Sequence, residues 1–185
     1  TGEGGNIGVL AGDDGVFLID DQFAPLTDKI IASIKTISSE PIKFLFNTHW
    51  HTDHTGGNEN LGKAGVLIVA HDNVRIRMST EQFQAYFNRV VRPSPDVALP
   101  VVTFSEAVTF HVNGEEIYAF QVPPAHTDGD SVIHFRKADV IHTGDLFTNG
   151  GYPFIGLSSG GTLDGMIRAA NILLGIVGPD TKIIP

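Results

Sequence analysis

Several residue types are scarce or absent in this 185-residue chain, and each absence removes a class of function. There is no cysteine, so disulfide bonds, a thiolate nucleophile and cysteine-bound zinc are excluded. Basic residues are few, with Lys+Arg 12 against Asp+Glu 21 and a formal net charge of -9. Because nucleic-acid backbones and anionic membrane surfaces are bound by clustered lysine and arginine, this charge argues against both as partners.

Long hydrophobic runs are also missing. No apolar stretch reaches the roughly 18 residues of a transmembrane helix, and no signal peptide is recognisable. The chain begins at Thr1 rather than Met, which favours a processed protein exported to the periplasm or beyond, although a cytoplasmic location stays open. The length and the 42% hydrophobic composition are typical of one globular domain covering residues 1–185.

The spacing of apolar residues predicts more strands than helices. Runs at residues 6–11 and 16–20 flank a Gly-Asp-Asp-Gly turn and predict a β-hairpin. Further strands are predicted at residues 42–46, 66–70, 107–112, 116–122, 131–135, 140–142 and 182–184, a proline-rich loop at 93–100, and helices at 26–37, 71–92 and 163–174, the last with Thr162 as N-cap. This pattern is typical of two packed sheets with helices outside them.

Residues 49–54 hold three imidazoles and one carboxylate directly after a predicted strand. Imidazole nitrogens and carboxylate oxygens are ligands of zinc, and catalytic zinc sites leave one position for water. His49 and His51 are two residues apart, so in an extended segment both side chains point the same way and can reach one ion. Asp53 and His54 follow at a turn, where they can face a second ion. Unrelated polar loop residues are the alternative interpretation.

The pattern His49-x-His51-x-Asp53-His54 resembles the characteristic motif of the metallo-β-lactamase superfamily. Three other segments resemble the family in the same order: residues 5–7 with 16–20, its first strands and their aspartate; residues 125–129 (AHTDG), its second histidine segment; and residues 143–147 (TGDLF), its bridging-aspartate segment. The resemblance extends from residue 5 to the end of the chain. It implies an α/β fold, a four-layer αββα sandwich of two mixed β-sheets flanked by helices.

The same resemblance implies a set of metal ligands. These are His49, His51 and His126 for a first Zn2+, Asp53 and His54 for a second, and Asp145 as a bridge between them. Family members place one more histidine after a strand similar to residues 182–185. The chain stops at Pro185, so we expect that the domain lacks its C-terminal end; an incomplete second site, or a ligand from another chain, are the alternatives.

The absence of cysteine excludes the branch of lactamases with a cysteine on the second metal. Asp145 instead indicates the bridged arrangement of glyoxalase II-like and other general hydrolases. The resemblance therefore implies hydrolysis of a small carbonyl substrate (a lactam, a lactone or other ester, or a thioester) by metal-activated hydroxide. Asp53 would orient the hydroxide and pass a proton to the leaving group.

Two other functions fit parts of the pattern. His49, His126 and Asp145 can surround a single Fe2+ as two histidines and one carboxylate, similar to the sulfur dioxygenases of the same superfamily. That arrangement predicts an oxidoreductase and leaves Asp53 and His54 without a ligand role. A non-catalytic metal-binding domain is the third hypothesis. The oligomeric state stays open in all three.

Several residues outside the motif are weaker candidates. Asp20 closes a predicted strand and is either a group that orients a ligand histidine or a turn residue. Trp50 and Tyr152 are candidate substrate contacts, with packing in the core or in a loop as the alternative. The remaining histidines are expected to be hydrogen-bonded or surface residues, because none belongs to a ligand-spaced cluster; they are His71, His111, His134 and His142.

Overall fold

The helices and strands are taken from a computed structural model, which describes residues 4–185. The strands are β1 (Gly8–Gly12), β2 (Gly15–Ile19), β3 (Ile42–Asn47), β4 (Leu67–His71), β5 (Gln82–Gln84), β6 (Arg89–Val91), β7 (Val102–Phe104), β8 (Ala107–Val112), β9 (Glu115–Gln121), β10 (Ser131–Phe135), β11 (Val140–His142) and β12 (Lys182–Ile184). The α-helices are α1 (Thr27–Lys35), α2 (Thr52–Thr55), α3 (Asn58–Lys63), α4 (Asp72–Met78) and α5 (Leu163–Ile176). Among these described residues no helix is long and apolar enough to cross a membrane.

The strands form two mixed five-stranded sheets and one small hairpin. The first sheet has the order β1-β2-β3-β4-β7, with an antiparallel first pair and parallel pairs after it. The second has the order β12-β11-β10-β9-β8 and is antiparallel except for β11 with β12. Strands β5 and β6 pair only with each other. The hairpin predicted around the Gly-Asp-Asp-Gly turn is confirmed as β1–β2.

Alternate side chains along a strand pack into different layers of the fold. Phe17 and Ile19 of β2 point into a core shared with side chains of the second sheet, such as Ile117 and Ile133. Their neighbours in β2 point the other way, into a cluster with α1 and α3. Helix α5 covers the outer face of the second sheet through Met166 and its neighbours. Successive residues of a strand face opposite sides, so the sheets are buried on both faces. The predicted αββα sandwich is confirmed.

The helix predicted over residues 71–92 is wrong in its second half. Helix α4 ends at Met78, and the chain then forms the β5–β6 hairpin, in which Gln82 pairs with Val91. Asn88 adopts a left-handed conformation with φ 46°, which reverses the chain before β6. Asparagine tolerates this conformation better than most residues. The other helices predicted, including Thr162 as N-cap of α5, are confirmed.

The fold brings the ends of four strands to one edge of the sandwich. Strands β2 and β3 are parallel, so both end at the same edge of the first sheet. Strands β9 and β11 both run antiparallel to β10, so they share an edge of the second sheet. The two edges are joined where the N–H of Ser131 donates to the carbonyl of Thr48 over 2.9 Å. The segments that leave these strands carry the predicted ligands.

Candidate metal centre

The histidine-rich segment leaves the carboxyl end of β3. His51 has an extended backbone and immediately precedes α2, whose first turn is closed by hydrogen bonds from His54 and Thr55 to the carbonyl of His51. This turn carries Asp53 and His54 back toward His49. Two buried asparagines support it, because the side-chain amide of Asn47 donates both to the carbonyl of His54 and to Asn58.

The other two candidate ligands come from the second sheet. His126 lies in the loop between β9 and β10, where the carboxylate of Asp130 accepts hydrogen bonds from the N–H and hydroxyl of Thr127. Asp145 follows β11, directly after Gly144, which has φ +52°. A side chain at residue 144 would meet the hydroxyl of Thr48 at 2.8 Å. A glycine is therefore required here for the close approach of the two sheets.

Six predicted ligands converge in space. Ligand atoms of His49, His51 and His126 lie within 4.8 Å of one another, and the same holds for His49, His54 and Asp145. Asp145 contacts both groups, with Oδ1 at 3.1 Å from Nε2 of His54 and Oδ2 at 3.3 Å from Nε2 of His126. The Oδ2 atom of Asp53 lies 3.5 Å from Nε2 of His54. His49 is common to the two groups.

In His126 and His54, a hydrogen bond on the side of the ring away from the cluster shows which nitrogen carries the proton. Nδ1 of His126 lies 2.8 Å from the carbonyl oxygen of Phe154, which can only accept, so Nδ1 carries the proton. Nδ1 of His54 lies 2.7 Å from Oδ2 of Asp20 and donates to it in the same way. In a neutral ring the Nε2 atom then keeps its lone pair, and in both histidines Nε2 is the atom that faces the cluster.

The same reasoning applies to the other two rings. The hydroxyl of Thr48 donates to Asp20 over 2.8 Å, so its oxygen accepts from Nδ1 of His49 at 3.1 Å. Nε2 of His49 is therefore the free nitrogen. Nε2 of His51 lies 3.1 Å from the hydroxyl of Ser159, which can accept its proton and leave Nδ1 of His51 free. With these tautomers in neutral rings, all four imidazoles direct an unprotonated nitrogen into the cluster.

The environment favours neutral rings at His49 and His51, a protonated ring at His54, and an ionised Asp145, through the following pKa shifts. Burial, reinforced by the neighbouring imidazoles, lowers the pKa of His49 well below its usual value and that of His51 to about 3. Burial also acts to lower the pKa of His54, but the carboxylates of Asp20 and Asp145 outweigh it and raise that pKa. For Asp145, burial acts to raise the pKa, and the contact with His54 together with the other imidazoles holds it at about 2.

These side chains fit a bound cation. The Nε2 atom of His49 is buried and has no hydrogen-bond partner among residues 4–185, and Nε2 of His54 has the carboxylates of Asp145 and Asp53 beside it. Nδ1 of His51 and Nε2 of His126 lie only 2.8 Å apart, and two facing lone pairs repel each other unless a positive charge lies beside them. Imidazole nitrogens with carboxylate oxygens suit zinc and also iron. One or two divalent ions would satisfy these atoms.

The two predicted substrate contacts lie elsewhere. Trp50 is 2% exposed and packs against Val74, Met78 and Leu99, so its ring belongs to the core beneath α4. Tyr152 is fully exposed and does not line the cleft in front of the cluster. That cleft has a volume of about 440 Å³ and is lined by Phe23, His51, Thr52, Asp53, Gln84, Phe87, Arg89, His126, Asp145 and Phe154.

Several supporting groups were missed or left undecided by the sequence analysis. Asp20 is fully buried and contacts both His54 and Thr48, which favours the orienting role over the turn role. The carbonyl of Phe154 and the hydroxyl of Ser159 have no sequence signal. His71 caps α4, and His142 is hydrogen-bonded to the backbone at both ring nitrogens, in agreement with the structural roles expected for them.

The fold and the cluster together define an αββα protein with a candidate metal centre at one edge of its sheets. The sequence model of the metallo-beta-lactamase superfamily matches residues 1–184, and the chain belongs to that superfamily. The resemblance found in the motifs is thereby confirmed.

Solved structures agree with this assignment. A metallo-beta-lactamase from Pontibacter korlensis is 25% identical, with a TM-score of 0.74 over 96% of this chain and 76% of the other. The metallo-beta-lactamase IND-7 is 20% identical, with a TM-score of 0.76 over 98% and 77%. The DIM-1 metallo-beta-lactamase is 18% identical, with a TM-score of 0.69 over 90% and 71%. The last two likenesses support the fold.

Proposed function

We propose that this protein is a metal-dependent hydrolase that acts on a small carbonyl substrate, namely a lactam, a lactone or other ester, or a thioester. The observation that carries the proposal is the convergence of four imidazoles beside Asp53 and Asp145 at the floor of an open cleft. The similar solved structures are described as metallo-beta-lactamases. Hydrolysis of a lactam is therefore the first reaction to test.

The cluster provides places for one or two ions, which we propose to be Zn2+. His49, His51 and His126 would hold the first ion; Asp53 and His54 would hold the second, with Asp145 between the two. When bound, zinc lowers the pKa of water from about 16 to about 7 and polarises a carbonyl group.

The side chains of the protein supply positioning and proton transfer. The carboxylate of Asp53 lines the cleft and lies beside His54, so it can accept a hydrogen bond from an attacking water. It can then pass a proton to the leaving group. Behind the cluster, the buried pair Asp20 and Thr48 prevents the rings of His49 and His54 from turning. A fixed arrangement of this kind lowers the cost of reorganisation during the reaction.

A second candidate is an iron-dependent oxygenase. It is favoured by one observation, namely that Oδ2 of Asp145 lies within 3.9 Å of both His49 and His126, an arrangement of two histidines and one carboxylate. It leaves His51, Asp53 and His54 without a ligand role, although all three lie at the same cluster. Metal analysis separates the two functions, because close to two zinc ions per chain would exclude the iron enzyme.

Hydrolysis should be measured on a panel of lactams, lactones, aryl esters and thioesters, before and after treatment with a chelator. We expect turnover of at least one class, loss of turnover with the chelator, and recovery on adding Zn2+. The variant His126→Ala should lose both metal and activity. His111→Ala is the matched control, because His111 is exposed on β8, away from the cluster. Hydrolysis that survives complete metal removal would overturn the proposal, and metal binding with no turnover of any class would favour a non-catalytic domain.

A further inference from the structure

A second cavity opens beside the metal cleft. It has a volume of about 250 Å³ and lies between the turn of the β5–β6 hairpin and the segment that follows Phe154. Its lining residues are His51, Gln84, Ala85, Tyr86, Phe87, Phe154, Ile155, Gly156, Leu157, Ser158 and Ser159. The hairpin is the element that the sequence predicted as a continuous helix. Its structure creates a wall that a helix would not provide.

Aromatic side chains form much of this wall. The ring of Phe154 lies 5.2 Å from that of Tyr86 and 5.8 Å from that of Phe87, centroid to centroid, which is the normal range for interacting aromatic rings. Phe87 is nevertheless 57% exposed and Leu157 is 77% exposed. Large apolar side chains that stay uncovered around a concave surface are typical of a ligand-binding site.

Several polar atoms of the lining are already paired within the protein. The hydroxyl of Ser158 accepts from the N–H of Ala85 over 3.1 Å, and the hydroxyl of Ser159 contacts His51. The side-chain oxygen of Gln84 accepts two hydrogen bonds from Arg89. Most of the lining surface is apolar, so an occupant gains more from burying apolar surface than from polar groups of its own. This favours an apolar occupant.

The cavity and the metal cleft are adjacent. Four residues line both of them: His51, Gln84, Phe87 and Phe154. His51 is a candidate metal ligand, and the carbonyl of Phe154 orients a second one, His126. A carbonyl carbon positioned at the cluster therefore has its substituents close to this cavity.

We propose that this cavity binds an apolar group on the acyl side of the substrate, either a phenyl-sized ring or an unbranched chain of several carbons. The inference rests on the proposed function and adds the substrate class to it. A cavity of about 150 Å³ is known to hold benzene, so about 250 Å³ accommodates such a ring with room to spare. The hairpin turn then acts as the specificity-determining segment of the enzyme.

The test measures binding rather than turnover. Unbranched carboxylates from acetate to octanoate, which mimic acyl products, are titrated into the metal-loaded protein by calorimetry. Each methylene that enters the cavity should tighten binding by up to about fourfold until the cavity is full. The double variant Phe87→Ala/Leu157→Ala removes apolar wall and should reduce this gain per methylene. Phe83→Ala is the matched control, since Phe83 is 53% exposed on the same hairpin but does not line the cavity.

Two results would overturn the proposal: affinity independent of chain length in the wild-type protein, or an unchanged gain per methylene in the double variant. The gain per methylene compares ligands that share one carboxylate, so it does not depend on whether the protein hydrolyses anything. A clear gain without hydrolysis would contradict the proposed function and still support the apolar subsite. Where esters are hydrolysed, kcat/KM should rise with the length of the acyl chain; a rise with the alcohol chain alone would contradict the assignment to the acyl side.

Discussion

Oδ2 of Asp20 lies 2.7 Å from Nδ1 of His54, and both side chains are buried. The same oxygen accepts from the hydroxyl of Thr48, and the other carboxylate oxygen accepts from the N–H of Thr48. Through Thr48 this one carboxylate also reaches Nδ1 of His49. Asp20 therefore determines the orientation and the tautomer of two candidate metal ligands, His49 and His54, without itself being a candidate ligand.

The variant Asp20→Asn should weaken metal binding. If its side-chain N–H2 group faces His54, Nδ1 must accept and the proton moves to Nε2. If its oxygen faces His54, the N–H2 group meets the N–H of Thr48, two donors oppose each other, and the support of the site is weakened. A protonated Nε2 cannot bind a metal. Loss of such a supporting partner typically weakens metal affinity by about 10–100-fold. Competition with a chromophoric chelator measures the affinity.

Asp28→Asn is the control for this substitution, because Asp28 lies in the first turn of the outer helix α1. We expect its metal affinity to match that of the wild-type protein. Nitrogen NMR shifts of the His54 ring in the metal-free protein report the tautomer directly. A proton that stays on Nδ1 in the Asn variant, with unchanged affinity, would contradict the role given to Asp20.

A glycine is required beside the ring of His54. A Cβ atom at residue 5 would lie 2.6 Å from Nδ1 and 2.7 Å from Nε2 of that ring. The variant Gly5→Ala must therefore displace His54 or the N-terminal segment, and overpacking of this kind costs about 1–3 kcal/mol. If the ring moves, metal affinity should fall by about tenfold or more, since about 1.4 kcal/mol is a factor of ten. Chelator competition is again the measurement.

Gly151→Ala is the matched control for that variant, because a Cβ atom at Gly151 meets only Thr148, at an ordinary distance of 3.9 Å. Its metal content and affinity should equal those of the wild-type protein. Equal affinity of the Gly5→Ala and wild-type proteins would show that His54 does not depend on this close approach.

The candidate ligands were predictable because their signal is local or strongly patterned. His49, His51, Asp53 and His54 fall within six residues, and this spacing alone indicates metal binding. The strands were predictable because alternation and turn residues are also local properties. Apolar spacing did not distinguish α4 from the hairpin after it, where the left-handed Asn88 redirects the chain.

The supporting atoms were not predictable for a different physical reason. Ser159 is 108 residues from His51 in the chain, and no spacing rule connects the two. Phe154 orients His126 through its backbone carbonyl, a group that every residue carries. The same limit applies to the two substrate contacts, since a tryptophan beside a ligand in the sequence packs into the core in space.

An ion pair behind the site joins three segments. Arg77 donates to both carboxylate oxygens of Asp128 at 2.7 Å and to the side chain of Gln82 at 2.8 Å. Asp128 is two residues from His126, and its N–H donates to the carbonyl of Ser159. Arg77→Ala should lower the free energy of unfolding by about 1.5–3 kcal/mol, the typical value for hydrogen bonds to charged groups. Urea denaturation measures the change.

The exposed pair Arg168 and Asp164 on α5 is the control for Arg77. Pairs of this type contribute about 0.3–0.5 kcal/mol, so Arg168→Ala should change stability little. Arg77→Lys retains the charge but not the two parallel hydrogen bonds, and it should recover only part of the loss. Equal effects of Arg77→Ala and Arg168→Ala would contradict the importance of the paired geometry.

The stability of the protein should also depend on the protonation of Asp130. Burial raises the pKa of this carboxyl from its ordinary 3.8 to about 6, against the hydrogen bonds from Thr127, which act to lower it. The folded state therefore binds this proton more tightly than the unfolded state. The resulting stabilisation is complete below pH 3.8 and is lost as the pH rises through about 6. It corresponds to about 3 kcal/mol of unfolding free energy.

Asp130→Asn removes this dependence, because the amide does not titrate. Urea denaturation of both proteins in chelator, at pH 4 and at pH 7, should show the wild-type protein gaining about 2.4 kcal/mol relative to the variant at the lower pH, because the unfolded carboxyl is already partly protonated at pH 4. The lost hydrogen bond to Thr127 adds an offset that is the same at both pH values. The buried histidines titrate in both proteins, so their contributions cancel in the difference. If the difference in unfolding free energy between the two proteins were the same at pH 4 and at pH 7, the carboxyl of Asp130 would have the same pKa in the folded protein as in the unfolded chain.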